Sequence, residues 1–161
     1  MTTINRWDEW LILQINRPAG HSELLDQFAL DVAESAFLKG GVFLAAYCWI
    51  WFDKGPRRDE LRRMIVASMV AALFVALAAR LMQMGLPFHF RPLHAPPFGF
   101  NTPHGVHSET LNAWSSFPSD HAAFFFALSV PIWTWSRPLG VVAFCWVLVV
   151  ICLPRAYLGF H

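Results

Sequence analysis

The sequence has 161 residues, 56% of them hydrophobic and 14% charged, with a formal net charge of +1. A chain this short needs a more polar surface than that to stay soluble around one core, and a near-zero charge gives no bulk basic signal for nucleic acid. The apolar residues are gathered into long runs, the pattern of a chain whose solvent is a bilayer.

The segment 7–15 sets Trp7, Trp10, Leu11 and Leu13 among charges and Gln14, which suits an amphipathic helix, and Asn16-Arg17-Pro18-Ala19-Gly20 ends it. A second amphipathic helix is predicted over 22–34, where Leu24, Leu25, Phe28, Ala29 and Val32 recur at roughly helical spacing. This lead-in, residues 1–35, fits either helices packed on the protein's own surface or helices lying in the membrane interface. Four apolar runs follow, at 37–52, 64–81, 122–135 and 138–153. Each is near or slightly below the ~17–25 residues of a membrane span, and flanking Trp residues with snorkelling by Lys39 or Arg80 can extend them. Pro131 sits in the third run, for which a hydrophobic core hairpin is the competing description. Cys48, Cys145 and Cys152 all lie inside apolar runs and read as small hydrophobes. The expected fold is all-α: one domain over 1–161, an integral membrane helical bundle of about four transmembrane helices with amphipathic N-terminal helices.

Orientation follows from the loops. Lys54, Arg57, Arg58, Arg62 and Arg63 crowd between the first two runs, and the positive-inside rule places them in the cytoplasm, together with Arg137 between the last two. The loop 82–119 and the segment from Pro154 onward are then expected on the outer face. That loop carries His89, His94, His104 and His107 among prolines and aromatic residues, and a loop of its length in a compact protein is functional or disordered.

Three polar clusters stand at the outer ends of the runs. They are Arg91-Pro92, downstream of Arg80; Ser116-Phe117-Pro118-Ser119-Asp120-His121; and Arg155 through His161. Ser119 or Asp120 suits the N-cap of the third helix, whose first-turn N–H groups and dipole make an anion site. Arg91 and Arg155 each offer a planar fork of donors to phosphate oxygens. His121 and His161 supply an acid and a nucleophile for opposite sides of a phosphorus. Singly, each has a plainer explanation: Arg-Pro ends helices, Pro-Ser-Asp-His caps them, Arg155 anchors a helix end and His161 is a terminus. Together, in order and on one face, they point to phosphoryl transfer, which needs charge stabilisation and in-line positioning above all.

These residues resemble the type 2 phosphatidic acid phosphatase superfamily, whose pattern is K-x6-R-P, then P-S-G-H, then S-R-x5-H-x3-D. Here the first motif is Arg91-Pro92, the second is Pro118-Ser119-Asp120-His121 with Asp in place of Gly, and the third is Arg155 followed after five residues by His161. Met84 stands where the first-motif Lys belongs, with Arg80 one turn earlier as its expected substitute, and Pro154 replaces the Ser. The form S-F-P-S-D-H and the amphipathic lead-in resemble the bacterial undecaprenyl-diphosphate phosphatases. The resemblance implies hydrolysis of a lipid phosphate or diphosphate, undecaprenyl diphosphate by preference, at a bacterial inner membrane with the site facing the periplasm or exterior. It implies that His161 attacks phosphorus and becomes a phosphohistidine, that His121 protonates the leaving oxygen, and that Arg91, Arg155, Ser119 and the backbone near Asp120 hold the phosphate, with Arg80 assisting. No metal or other cofactor is implied, and the loop histidines are left incidental or as headgroup contacts. Soluble vanadate-dependent haloperoxidases share the motifs, and the four apolar runs argue against them. The family's orienting Asp, four residues past the nucleophile, lies beyond the last residue of the sequence, so a C-terminally shortened member is expected. The alternative to an active hydrolase is a catalytically impaired membrane protein that binds lipid headgroups or a partner.

Overall fold

The computed structural model describes residues 6–94, 99–107 and 115–160, and among these every regular element is a helix. Helices α1 (Arg6–Asn16) and α2 (Glu23–Glu34) form the lead-in. Ser22, in extended conformation, caps α2 by accepting a hydrogen bond from the Leu25 amide. A π-helical turn, Phe37–Gly41, continues directly into α3 (Val42–Trp51). Next come α4 (Arg58–Gly85) and, after the long loop, α5 (Asp120–Trp135). Helix α6 (Arg137–Trp146), a π-helical segment at Val147–Cys152 and α7 (Leu153–Tyr157) make one continuous rod.

All four predicted apolar runs are helical, but they differ in reach. Arg58–Gly85 and Arg137–Tyr157 are long and apolar enough to cross a membrane, whereas Phe37–Trp51 is apolar but shorter. The 28 residues of α4 extend about 42 Å. The expected four spanning lengths are thus met by two helices, because α3 stops before the polar turn at Asp53 and α5 is bounded by Asp120 and Ser136. Pro131 does not break α5. Around it, Tyr47 of α3 donates to the Leu128 carbonyl at 2.8 Å and Thr134 donates to the carbonyl of Pro131 itself at 2.9 Å.

The core follows helical spacing in each rod: Phe43, Tyr47 and Ile50; Leu61, Ile65 and Ala72; Phe125, Leu128 and Ile132; Ala143, Val147 and Ile151. Pairing directions are set at both ends of α4 and α5, since Arg80 meets Asp120 while Met64 meets Thr134, so the two run antiparallel. Helices α5 and α6 are joined through Ser136 alone and approach closely at Gly140, where a Cβ would lie 2.4 Å from the Trp133 Cα. The other side of α4 is left uncovered: Val66, Met69, Val70, Leu73 and Phe74 are exposed, Phe74 at 67%.

A second cluster fastens the lead-in to the end of the last rod. Ala19, Ala29 and Ala33 pack on Tyr157, Leu158 and Phe160. At its centre Asp26, fully buried, accepts from the Tyr157 hydroxyl, from the His104 amide at 2.8 Å, from His104 Nδ1 at 2.7 Å and from the Gly20 amide at 3.1 Å. Buried Asn16 donates to the carbonyls of Asn101 and Tyr157 and accepts from the Asn101 amide. The lead-in therefore packs on the protein's own surface through α2, while α1 leaves Trp7, Trp10 and Leu11 exposed.

Two expected outcomes follow from this packing. Gly140→Ala inserts a methyl group where there is no room and is expected to cost about 1–3 kcal/mol, read as a lower unfolding temperature in detergent. Burial alone opposes the charge of Asp26, but hydrogen bonds from Tyr157, His104 and Gly20 outweigh it and hold the carboxyl below its ordinary value. A carboxyl depressed in the fold stabilises above its unfolded pKa, and that contribution disappears as pH falls through the folded one. The unfolding midpoint is thus expected to fall in acid, and Asp26→Asn to lower it at neutral pH and flatten the acid limb.

Candidate active site at one end of the bundle

The site is assembled at the end of the bundle where α3 begins, α4 ends, α5 begins and the last rod ends. Arg80, on the penultimate turns of α4, donates to Gln83 Oε1 at 3.1 Å and lies 3.5 Å from Asp120 Oδ2. Gln83 in turn donates to the Pro118 carbonyl. Past α4 the chain runs through His89 to Arg91 and is paired with the return strand of the loop. The Ser116 amide donates to the His89 carbonyl at 3.0 Å, and the His89 amide to Ser115 Oγ at 3.2 Å.

Arg91 is buried at 5% exposure, and its guanidinium donates to the carbonyl of Phe160 and, at 3.3 Å, to that of Ser115. Burial and the nearby charges of Arg155 and Arg80 lower its pKa from the ordinary value against the pull of Asp120, although a guanidinium remains charged. Beside it the Leu93 amide reaches the Gly159 carbonyl at 3.3 Å. Gly159 is required there: its φ is +74° and a Cβ would stand 2.6 Å from the Phe100 ring. Arg91-Pro92 is thus clamped between the segment before α5 and the segment after α7.

Of the two candidate caps for α5, Ser119 is the one used, accepting from the Ala122 amide at 3.3 Å. That releases the Asp120 carboxylate for another task. Its Oδ1 lies 2.9 Å from His121 Nδ1, and the hydrogen bond from His121, ahead of the opposing cost of burial and with further help from Arg80, holds the Asp120 carboxyl well below the usual carboxylate range. A carboxylate on Nδ1 fixes the imidazole tautomer and ring plane, which leaves Nε2 as the ring nitrogen not bonded to Asp120. Arg155 stacks its guanidinium over the Phe160 ring at 5.9 Å. It is near enough to Asp120, Arg91 and Lys39 for their charges to act on one another.

The sequence-derived residues Arg80, Arg91, Ser119, Asp120, His121 and Arg155 are therefore brought together, while His161 lies outside the described residues. Arg91 spends donors on backbone carbonyls, a geometry the sequence did not suggest, and the Asp120 side chain pairs with Arg80 and His121 instead of capping the helix. His104 is bound to Asp26, away from this group. Lys39, read in the sequence only as a snorkelling residue of the first apolar run, was not among the site candidates. It lines a cavity of about 370 Å³ with Asp120, His121, Gly40, Ala76 and Phe124. A lysine inside an apolar run was the available signal, since an ionisable group there is functional by default. No protein-family model, curated protein or solved structure matches this chain.

Arg91→Lys keeps the charge and loses the fork, leaving one of the Ser115 and Phe160 carbonyls without its donor. It is expected to cost about 1–3 kcal/mol in thermal unfolding.

Proposed function

We propose that this protein is a membrane-embedded phosphatase of lipid phosphates or diphosphates, similar to the type 2 phosphatidic acid phosphatase superfamily, with undecaprenyl diphosphate as the preferred substrate. The observation that carries the reading is the gathering of three arginines from separate segments, Arg80, Arg91 and Arg155, around the single acid–base pair Asp120–His121 at the capped start of α5. Cations crowded in a half-dry cleft repel one another, and a phosphate dianion relieves that cost. The cavity beside His121 has apolar walls at Ala76 and Phe124, suited to the first carbons of a lipid chain.

The uncovered apolar surface of α4 supports a bilayer setting, with α3 and α5 as shorter companions in a four-span bundle. Lys54, Arg57 and Arg58 lie at the end of the bundle opposite the site, so the positive-inside rule turns the site toward the exterior or, in a bacterial inner membrane, the periplasm. Trp7, Trp10 and Leu11 suit the headgroup boundary on that side.

In the proposed reaction a His161 nitrogen attacks the terminal phosphorus, the bond from that phosphorus to the bridging oxygen breaks, and His121 gives its Nε2 proton to that oxygen. Lipid monophosphate leaves. Water then attacks the phosphohistidine and gives a proton to His121 Nε2, the P–N bond breaks, and inorganic phosphate is released with both histidines restored; the sum is lipid diphosphate plus water giving lipid monophosphate plus phosphate. Asp120 stabilises the imidazolium form of His121 before it gives up its proton.

The test is phosphate release from undecaprenyl diphosphate and from phosphatidic acid in detergent. His121→Ala is expected to lower release by about 10²–10⁴-fold. Gly40→Leu should also lower it, because a side chain there enters the cavity and meets nothing else within 4 Å of its Cβ, while helix propensity favours an unchanged or higher unfolding temperature. No release by the wild-type chain from either lipid overturns the hydrolase reading.

A further inference from the structure

Lys39 emerges from the π-helical turn Phe37–Gly41, an irregular stretch whose Leu38 carbonyl is taken by the Trp146 indole of the last rod at 3.0 Å. One of its three N–H donors goes to the Ala33 carbonyl at 2.8 Å, at the C-terminal end of α2. Lys39 also lines the cavity with His121 and Asp120, where it is the only lysine or arginine among the described lining residues. Arg80, Arg91 and Arg155 form no part of that wall. The site thus offers positive charge in two places: the arginine group that surrounds Asp120, and Lys39 on a different helix among the apolar lining of Gly40, Ala76 and Phe124.

The two places differ in their surroundings, and a lipid diphosphate differs along its length in the same way. Its terminal phosphate carries most of the charge, and its inner phosphate is esterified to an apolar chain. A terminal phosphate among the arginines at the start of α5 puts the bridging oxygen near His121 and the inner phosphate on the apolar side of it, where Lys39 stands. A lipid monophosphate has nothing to present there.

We infer that Lys39 is a second phosphate ligand, contacting the chain-bearing phosphate of a lipid diphosphate and making the site prefer a diphosphate over a monophosphate. The inference rests on the phosphatase reading for the position of the terminal phosphate. Lys39 also braces the end of α2, so loss of stability in a variant does not speak for or against the ligand role; only discrimination between one and two phosphates does.

The experiment has two readouts, each on the wild-type chain, Lys39→Met, Lys39→Arg and Gly40→Leu. The first is the ratio of catalytic efficiencies on undecaprenyl diphosphate and undecaprenyl monophosphate. Lys39→Met is expected to lower that ratio about 10–100-fold, with Lys39→Arg restoring most of it. The second needs no turnover: the rise in unfolding temperature given by inorganic pyrophosphate over that given by inorganic phosphate, each measured against the same variant without ligand. The wild-type chain should show an excess for pyrophosphate, Lys39→Met should lose it, and Gly40→Leu, which crowds the same corner without touching the α2 brace, should reduce it. An excess that survives in Lys39→Met, or no excess in the wild-type chain, overturns the inference. Absence of hydrolysis with the pyrophosphate excess intact and Lys39-dependent overturns the enzyme reading and leaves Lys39 as a diphosphate ligand.

Discussion

One buried cation organises this end of the molecule. The Arg91 guanidinium sits between two carbonyls, those of Ser115 and Phe160, that belong to segments 45 residues apart in the numbering. A charge in such a place is tolerated only with its donors engaged, and a backbone carbonyl in a dry pocket is tolerated only with a donor facing it. The three needs are met together or not at all. Everything that makes the site a site, the start of α5 with its histidine and the turn carrying Arg155, is referenced to that one planar group. Nearby Arg155 and Arg80 add like charge and Asp120 offsets part of it, so burial and like charge both weigh on the Arg91 guanidinium and its bonds to the two carbonyls help to hold it there.

Much of the bundle was legible in advance because long apolar runs leave a mark. The apolar runs at 37–52, 64–81, 122–135 and 138–153 are all helical, as their length and composition implied. Ser22 and Ser119 announced their helix starts by residue type. What periodicity does not encode is which apolar residues meet protein and which meet the surroundings: Ile65 is in the core and its neighbour Val66 is half exposed, with nothing in their chemistry to separate them. The reach of each helix was also hidden, because polar first and last turns, as in Arg58–Gly85, look like loop in a hydropathy reading.

The polar details were legible in kind and not in role. Asp26 is one of several acids in an amphipathic stretch, and only the tertiary fold gives it four hydrogen bonds and total burial. Asp120 was legible as a candidate helix cap standing in place of a Gly; with Ser119 taking the cap, the carboxylate faces Arg80 and the neighbouring imidazole. Lys39 was read as a snorkelling residue because it stands near the start of an apolar run, and nothing in the sequence shows that a π-helical turn carries it into one wall with Asp120 and His121.

The fastening of α1 and α2 to the last rod has a consequence for the order in which the molecule is made. Asn16 and Asp26 find their partner Tyr157 across 141 and 131 residues of chain. Until Tyr157 is placed, the side chains of Asn16 and Asp26 stay with water, and α1 and α2 have no polar anchor on the last rod. The lead-in therefore docks late, because these bonds close only once residues 155–160 are in position, and the Arg91 clamp, which needs the Phe160 carbonyl, waits on the same segment.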